Sequence, residues 1–139
     1  MHNFTLIRTV FNNEKTMKKT ITTQRGRLAE DLACAYITKL GYKIRERNWR
    51  FRRAEIDIIA ADQKWLVFLE VKSRSSAQFG TPETAVTHKK ESLLSDAASA
   101  YMLEKNYIGE FRFDIVSVLF QLDERPDIQH FQDAFFPGI

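Results

Sequence analysis

The chain has 139 residues, a formal net charge of +3, 44% hydrophobic residues and one cysteine, Cys34. At that length it reads as a single domain that buries roughly two-thirds of its unfolded surface. The lone Cys34 excludes an internal disulfide framework and a multi-cysteine zinc site, and no run approaches the roughly 20 apolar residues that cross a bilayer.

Residues 1–22 read as a flexible extension, with Met17-Lys18-Lys19 as a candidate translation start and 23–139 as the folded domain. The early apolar run is broken by Arg8 and lacks a small-residue cleavage site, so no secretory signal is expected. With a single free cysteine this points to the cytoplasm. Gln24 to Leu40 carries Ala29, Leu32, Ala33, Tyr36, Ile37 and Leu40 at helical spacing, and Gly41 should stop that helix. Glu30 lies beside the apolar stripe, where an acid reaches over a neighbouring sheet. Its plainer role is a surface pair with Arg27.

Tyr42 to Phe51 predicts a strand. Between Arg45 and Arg53 stand Arg45, Arg47, Arg50, Arg52 and Arg53 against one acid, Glu46, with Trp49 and Phe51 interleaved. Cations among aromatics suit phosphate contact and base stacking. The same run also suits a charged edge strand that resists aggregation.

Two more strands follow. Glu55 to Ile58 alternates acid and aliphatic, and Trp65 to Val71 is rich in aromatic and β-branched types. With Gln63-Lys64 as the turn and Asp62 facing Trp65, Asp57 falls opposite Glu70 and Glu55 opposite Lys72. Period-two alternation puts Ile56, Ile58, Ala60, Val67, Leu69 and Val71 on one apolar face. Glu55, Asp57, Ile59, Phe68, Glu70 and Lys72 share the other. Like charges opposed across strands are destabilising, and a divalent cation with oxygen ligands reverses that sign. A solvated sheet face with a Glu55–Lys72 ion pair is the alternative.

Ser73 to Glu83 predicts a loop, with Arg74 a candidate phosphate clamp or a solvated arginine. Thr84 to Lys105 predicts a second helix with Leu93, Leu94, Ala97, Ala98, Tyr101 and Met102 on its apolar face. Lys90, in its first half, would favour a phosphate partner or simply be solvated. Phe111 to Leu122 predicts a strand carrying Asp114, and Ile128 to Phe136 a last edge strand. The order gives an α/β sandwich, a mixed central sheet flanked by helices.

An Asp on one strand and Glu-x-Lys on its hairpin partner resemble the PD-(D/E)xK nuclease superfamily, which includes Holliday junction resolvases and restriction endonucleases. The wider set narrows this. Gly26-Arg27-Leu28-Ala29-Glu30, Gly41-Tyr42, Arg47-Asn48-Trp49-Arg50, Glu55-Ile56-Asp57-Ile58-Ile59-Ala60, Glu70-Val71-Lys72-Ser73-Arg74, Phe79-Gly80-Thr81-Pro82 and Phe113-Asp114 resemble the bacterial YraN (UPF0102) family over roughly residues 24 to 120. One departure is Ala54, where that family usually has Gly.

The resemblance implies a restriction-endonuclease-like fold and in-line phosphodiester hydrolysis on DNA, including branched DNA. Mg²⁺ or Mn²⁺ would be held by Asp57, Glu70 and the Val71 carbonyl. Lys72 would orient the attacking water, and Glu30 would bind metal through water or take a proton. Lys90 matches a basic position of the family, and Arg47, Arg50, Arg52, Arg53 and Arg74 are the other candidate nucleic-acid contacts. Resolvases of this kind work as symmetric dimers, so a homodimer is one implied arrangement. The competing reading is a non-catalytic nucleic-acid-binding module or accessory factor in repair or replication.

Overall fold

A computed structural model describes residues 23–75 and 87–135. The expected extension, the motif Phe79-Gly80-Thr81-Pro82, most of the expected loop and Phe136 lie outside those residues. Helix α1 (23–39) leads into strands β1 (Lys43–Phe51), β2 (Ala54–Asp62) and β3 (Trp65–Ser75). Helix α2 (His88–Glu104), β4 (Glu110–Phe120) and β5 (Asp127–Phe135) complete the chain. The strands form one five-stranded sheet in sequence order. All neighbours are antiparallel except β3 and β4, which are parallel. This is the mixed-sheet α/β sandwich expected. Among the described residues no helix is long and apolar enough to cross a membrane.

Each helix covers one face. Ala29, Ala33 and Ile37 of α1 pack with Ile58, Ala60, Val67, Leu69, Val116 and Val118. Leu94, Ala97, Ala98 and Tyr101 of α2 pack with Ile56, Ile59, Leu66, Phe68 and Phe113. Burying a side chain such as Phe68 contributes about 1.5–3 kcal/mol. The Phe68 and Phe113 rings stack at 5.4 Å, which adds to that burial.

Gly41 ends α1 as expected, at φ +101°. The Tyr42 amide donates to the Ile37 carbonyl at 3.0 Å and the Gly41 amide to Thr38 at 3.0 Å, so two late carbonyls of the helix are satisfied. Gly41→Ala should lower stability by about 1 kcal/mol, because the cost is backbone conformation rather than space. Urea unfolding of the two proteins measures it.

The predicted Asp62–Trp65 register is present and runs to Ile58 against Leu69, beyond which the hairpin opens. Gln63 makes the turn at φ +51° without a glycine. Three expectations fail. First, Ile56 packs on the α2 side and Ile58 on the α1 side, so one apolar face does not run through both. A regular strand would keep them together. Second, Ile59 and Phe68 are fully covered by α2 rather than lying on a polar face. Third, Ser73, Arg74 and Ser75 belong to β3, because its parallel pairing with β4 continues to Ser75–Phe120.

Candidate metal and nucleic-acid site

The hairpin opens beyond Ile58 and Leu69, and a strand amide that leaves its ladder needs another acceptor. The Val71 amide donates to Asp57 Oδ2 at 2.7 Å. This bond ties the two acidic motifs together where their backbones part.

Glu30 of α1 and Glu55 and Asp57 of β2 each present a carboxylate oxygen, all within 4.8 Å of one another. Glu30 reaching Asp57, and Glu55 on the face of Asp57, agree with the sequence reading. The partner of Glu55 differs: it was assigned to Lys72, but it pairs with Arg50 of β1 at 3.0 Å, directly across the ladder. The strict alternation of Glu55 and Asp57 was the signal for their shared side. Glu30 as the third member needed the packing of α1.

Glu70 stands on the other side of Asp57 and is 5% exposed. The Lys90 ammonium of α2 donates to Glu70 Oε1, and Lys72 Nζ lies 3.5 Å from the same oxygen. Lys90 is therefore bound to a buried acid in addition to any phosphate role. Burial lowers the Lys72 pKa against the pull of Glu70, with Lys90 adding to the fall. Burial also depresses Lys90, but its pairing with Glu70 outweighs that and raises it. Asp57 is pushed up from 3.8 to about 8, first by burial and then by Glu70.

The arginines divide. Arg47 Nη2 donates to Asp31 at 2.8 Å and sits 3.9 Å from Glu30, so it flanks the acidic group from β1. Arg52 and Arg53 form the β1–β2 turn beside Glu55, with Arg52 at φ +54° over the Phe51 ring. Arg74 extends along β3 beyond Lys72. Trp49 and Phe51 are not offered to bases. They pack against the α2 core, with Trp49 edge-on to Tyr101 at 5.4 Å.

The donor set fits a hard divalent cation. Three convergent carboxylates offer oxygen ligands only, the donor type a hard cation takes. Glu30, Glu55 and Asp57 are the side chains that could hold one. Glu70 and the Val71 carbonyl, expected as ligands, adjoin the group through Asp57.

A second polar cluster was not foreseen beyond the placing of Asp114 in a buried strand. Asp114 is fully buried and accepts from Arg112 Nε at 3.0 Å and from the Asp133 amide at 2.9 Å. His130 Nε2 lies 2.8 Å from it. Arg112 also donates to the Tyr42 hydroxyl and reaches Asp62 at 3.4 Å. Burial alone would raise the Asp114 pKa, but His130, Arg112 and the Asp133 amide together hold it below the ordinary value. The network joins the end of α1 to β2, β4 and β5. It serves the frame of the sheet.

Comparison with known proteins agrees with the motif order. The uncharacterised protein family UPF0102 matches residues 29–118. A UPF0102 protein of Flavobacterium psychrophilum is 44% identical over 111 residues, 80% of this chain and 92% of its own length. One from Rhodococcus opacus is 41% identical over 79% of this chain and 94% of its own. One from Geobacter sulfurreducens is 42% identical over 79% and 87%. This chain belongs to the UPF0102 family.

Proposed function

We propose that the protein is a divalent-metal-dependent phosphodiester hydrolase acting on DNA, including branched DNA. The observation that carries this is the convergence of Glu30, Glu55 and Asp57 within 4.8 Å, beside a buried Glu70 flanked by two lysines. Like charges gathered on one sheet face are destabilising, and a bound cation reverses that sign.

When bound, Mg²⁺ or Mn²⁺ supplies charge stabilisation for the phosphate and a lowered pKa for a water. Glu30, Glu55 and Asp57 hold it. The Val71 amide fixes the Asp57 carboxylate, so one ligand is oriented before any cation arrives. Lys72, half-buried and close to Glu70, orients the nucleophilic water and offsets charge that develops on the phosphate. Arg47, Arg52, Arg53 and Arg74 flank the centre and supply backbone phosphate contacts, which would make binding salt-dependent.

Labelled single-stranded, duplex and four-way-junction DNA should be cut in Mg²⁺ or Mn²⁺ and spared in EDTA. Lys72→Ala should reduce the cleavage rate by at least ~100-fold while leaving DNA affinity within a few-fold. Equal, metal-independent binding by both proteins with no cut in any of the three substrates would favour the non-catalytic binding module instead.

A further inference from the structure

A second cleft lies at the turn end of the β2–β3 hairpin, away from the acidic centre. The five residue steps from Asp57 to Asp62 span about 17 Å along β2. The cleft has a volume of about 340 Å³ and is lined by Arg45, Lys64, Trp65, Tyr101, Lys105 and Tyr107, among others. No acid lines it. Among the described residues, none of Arg45, Lys64 and Lys105 has a carboxylate within ion-pair distance. Glu46 and Glu104, beside Arg45 and Lys105 in the chain, act on Tyr101 but do not line the cleft, so its lining charge is wholly cationic and attracts an anion.

The walls are aromatic and fixed. Lys64 lies over the Trp65 ring at 5.3 Å and Lys105 over Tyr101 at 5.9 Å. The Tyr107 hydroxyl donates to the Glu110 carbonyl at 2.6 Å, and its amide donates to Met102 at 2.8 Å. Gly109 makes room for that ring: a Cβ there would come within 2.8 Å of the Tyr107 hydroxyl. The Tyr107 ring, over which no cation lies among the described residues, stands beside these cations, and that pairing suits a ligand both flat and anionic.

We infer that this cleft binds a nucleotide unit, its base against Tyr107 and its phosphate between Lys64, Lys105 and Arg45. Aromatic stacking combined with phosphate attraction is how proteins hold unpaired nucleotides. The inference is independent of the acidic centre and stands whether or not that centre cleaves.

The test is calorimetric titration in EDTA, so that the metal centre plays no part. The probes are 5′-AMP, adenosine and inorganic phosphate, with the wild type beside a Lys64→Glu/Lys105→Glu double variant and Gly109→Ala. Both lysines are exposed, so the double variant should stay folded, with circular dichroism as the check. 5′-AMP should bind at least ~10-fold more tightly than adenosine or phosphate. The double variant should lose at least ~10-fold in affinity, and Gly109→Ala should weaken 5′-AMP more than phosphate. A labelled oligothymidylate then separates the two sources of the ligand. Displacement by 5′-AMP assigns the cleft to a nucleotide within a strand, and 5′-AMP binding without displacement assigns it to a free nucleotide. Equal binding of 5′-AMP and phosphate, or wild-type affinity in the double variant, would overturn the inference.

Discussion

Asp57→Asn is expected to make the metal-free protein more stable above neutral pH, although it removes a candidate ligand. The Asp57 carboxyl is raised from 3.8 to about 8 by burial and by Glu70. Below about pH 4 it is protonated in both the folded and unfolded chain and contributes no pH dependence. Between about pH 4 and 8 the unfolded chain releases the proton and the folded chain keeps it, so stability falls as pH rises. Above about pH 8 both forms are ionised and the loss is complete. The steepest slope is on the order of 1 kcal/mol per pH unit. Asn keeps the shape and never ionises, so the variant should lack this component. Thermal melts in EDTA from pH 4 to 9 measure the difference between the two proteins. Parallel curves would show that Asp57 does not sit in a crowded acidic site.

Asp114→Ala should cost about 3–5 kcal/mol, because it strands a buried guanidinium. Arg112 is 8% exposed, and without Asp114 its remaining carboxylate is Asp62 at 3.4 Å. The Asp133 amide and His130 lose their acceptor at the same time. The double substitution Arg112→Met/Asp114→Leu should be less damaging than the single one, since it removes both charges. The wild type should also carry an acid limb that both variants lack. Its Asp114 pKa is held below 3.8, so the stabilisation is present above that value and is lost as pH falls through the depressed pKa. Urea midpoints at pH 7 and pH 3 check both statements. Equal losses for the single and double variants would assign the cost to packing rather than to charge.

Local signals carried much of this fold. Gly41 marked the end of α1, and the acid–aliphatic alternation with its polar turn gave the Asp62–Trp65 register. The α1 and α2 stripes read as core are the residues that pack on the two faces, except that Leu40 is 55% exposed. What the sequence hid depended on irregular backbone or on distant partners. Ile56 and Ile58 of β2 pack on opposite faces, which period-two alternation does not foresee. Glu55 meets Glu30 and Asp57 and pairs with Arg50, not with Lys72. Trp49 and Phe51 read as bases' partners because they alternate with arginine, yet the α2 core claims them. Ser73-Arg74-Ser75 has loop composition, but pairing with β4 outweighs it. The Arg112–Asp114–His130 cluster spans two strands and a register shift in β5, and its members are ordinary surface types when taken singly.

The most direct test of the account needs no knowledge of the substrate. It is a calorimetric Mn²⁺ titration of the wild type, Glu55→Gln and Asp57→Asn at pH 8. The account predicts saturable Mn²⁺ binding by the wild type, weakened at least ~10-fold by either substitution, since each removes one charged oxygen ligand. Absence of saturable Mn²⁺ binding by the wild type, or equal affinity in all three proteins, would contradict a metal centre at Glu30, Glu55 and Asp57.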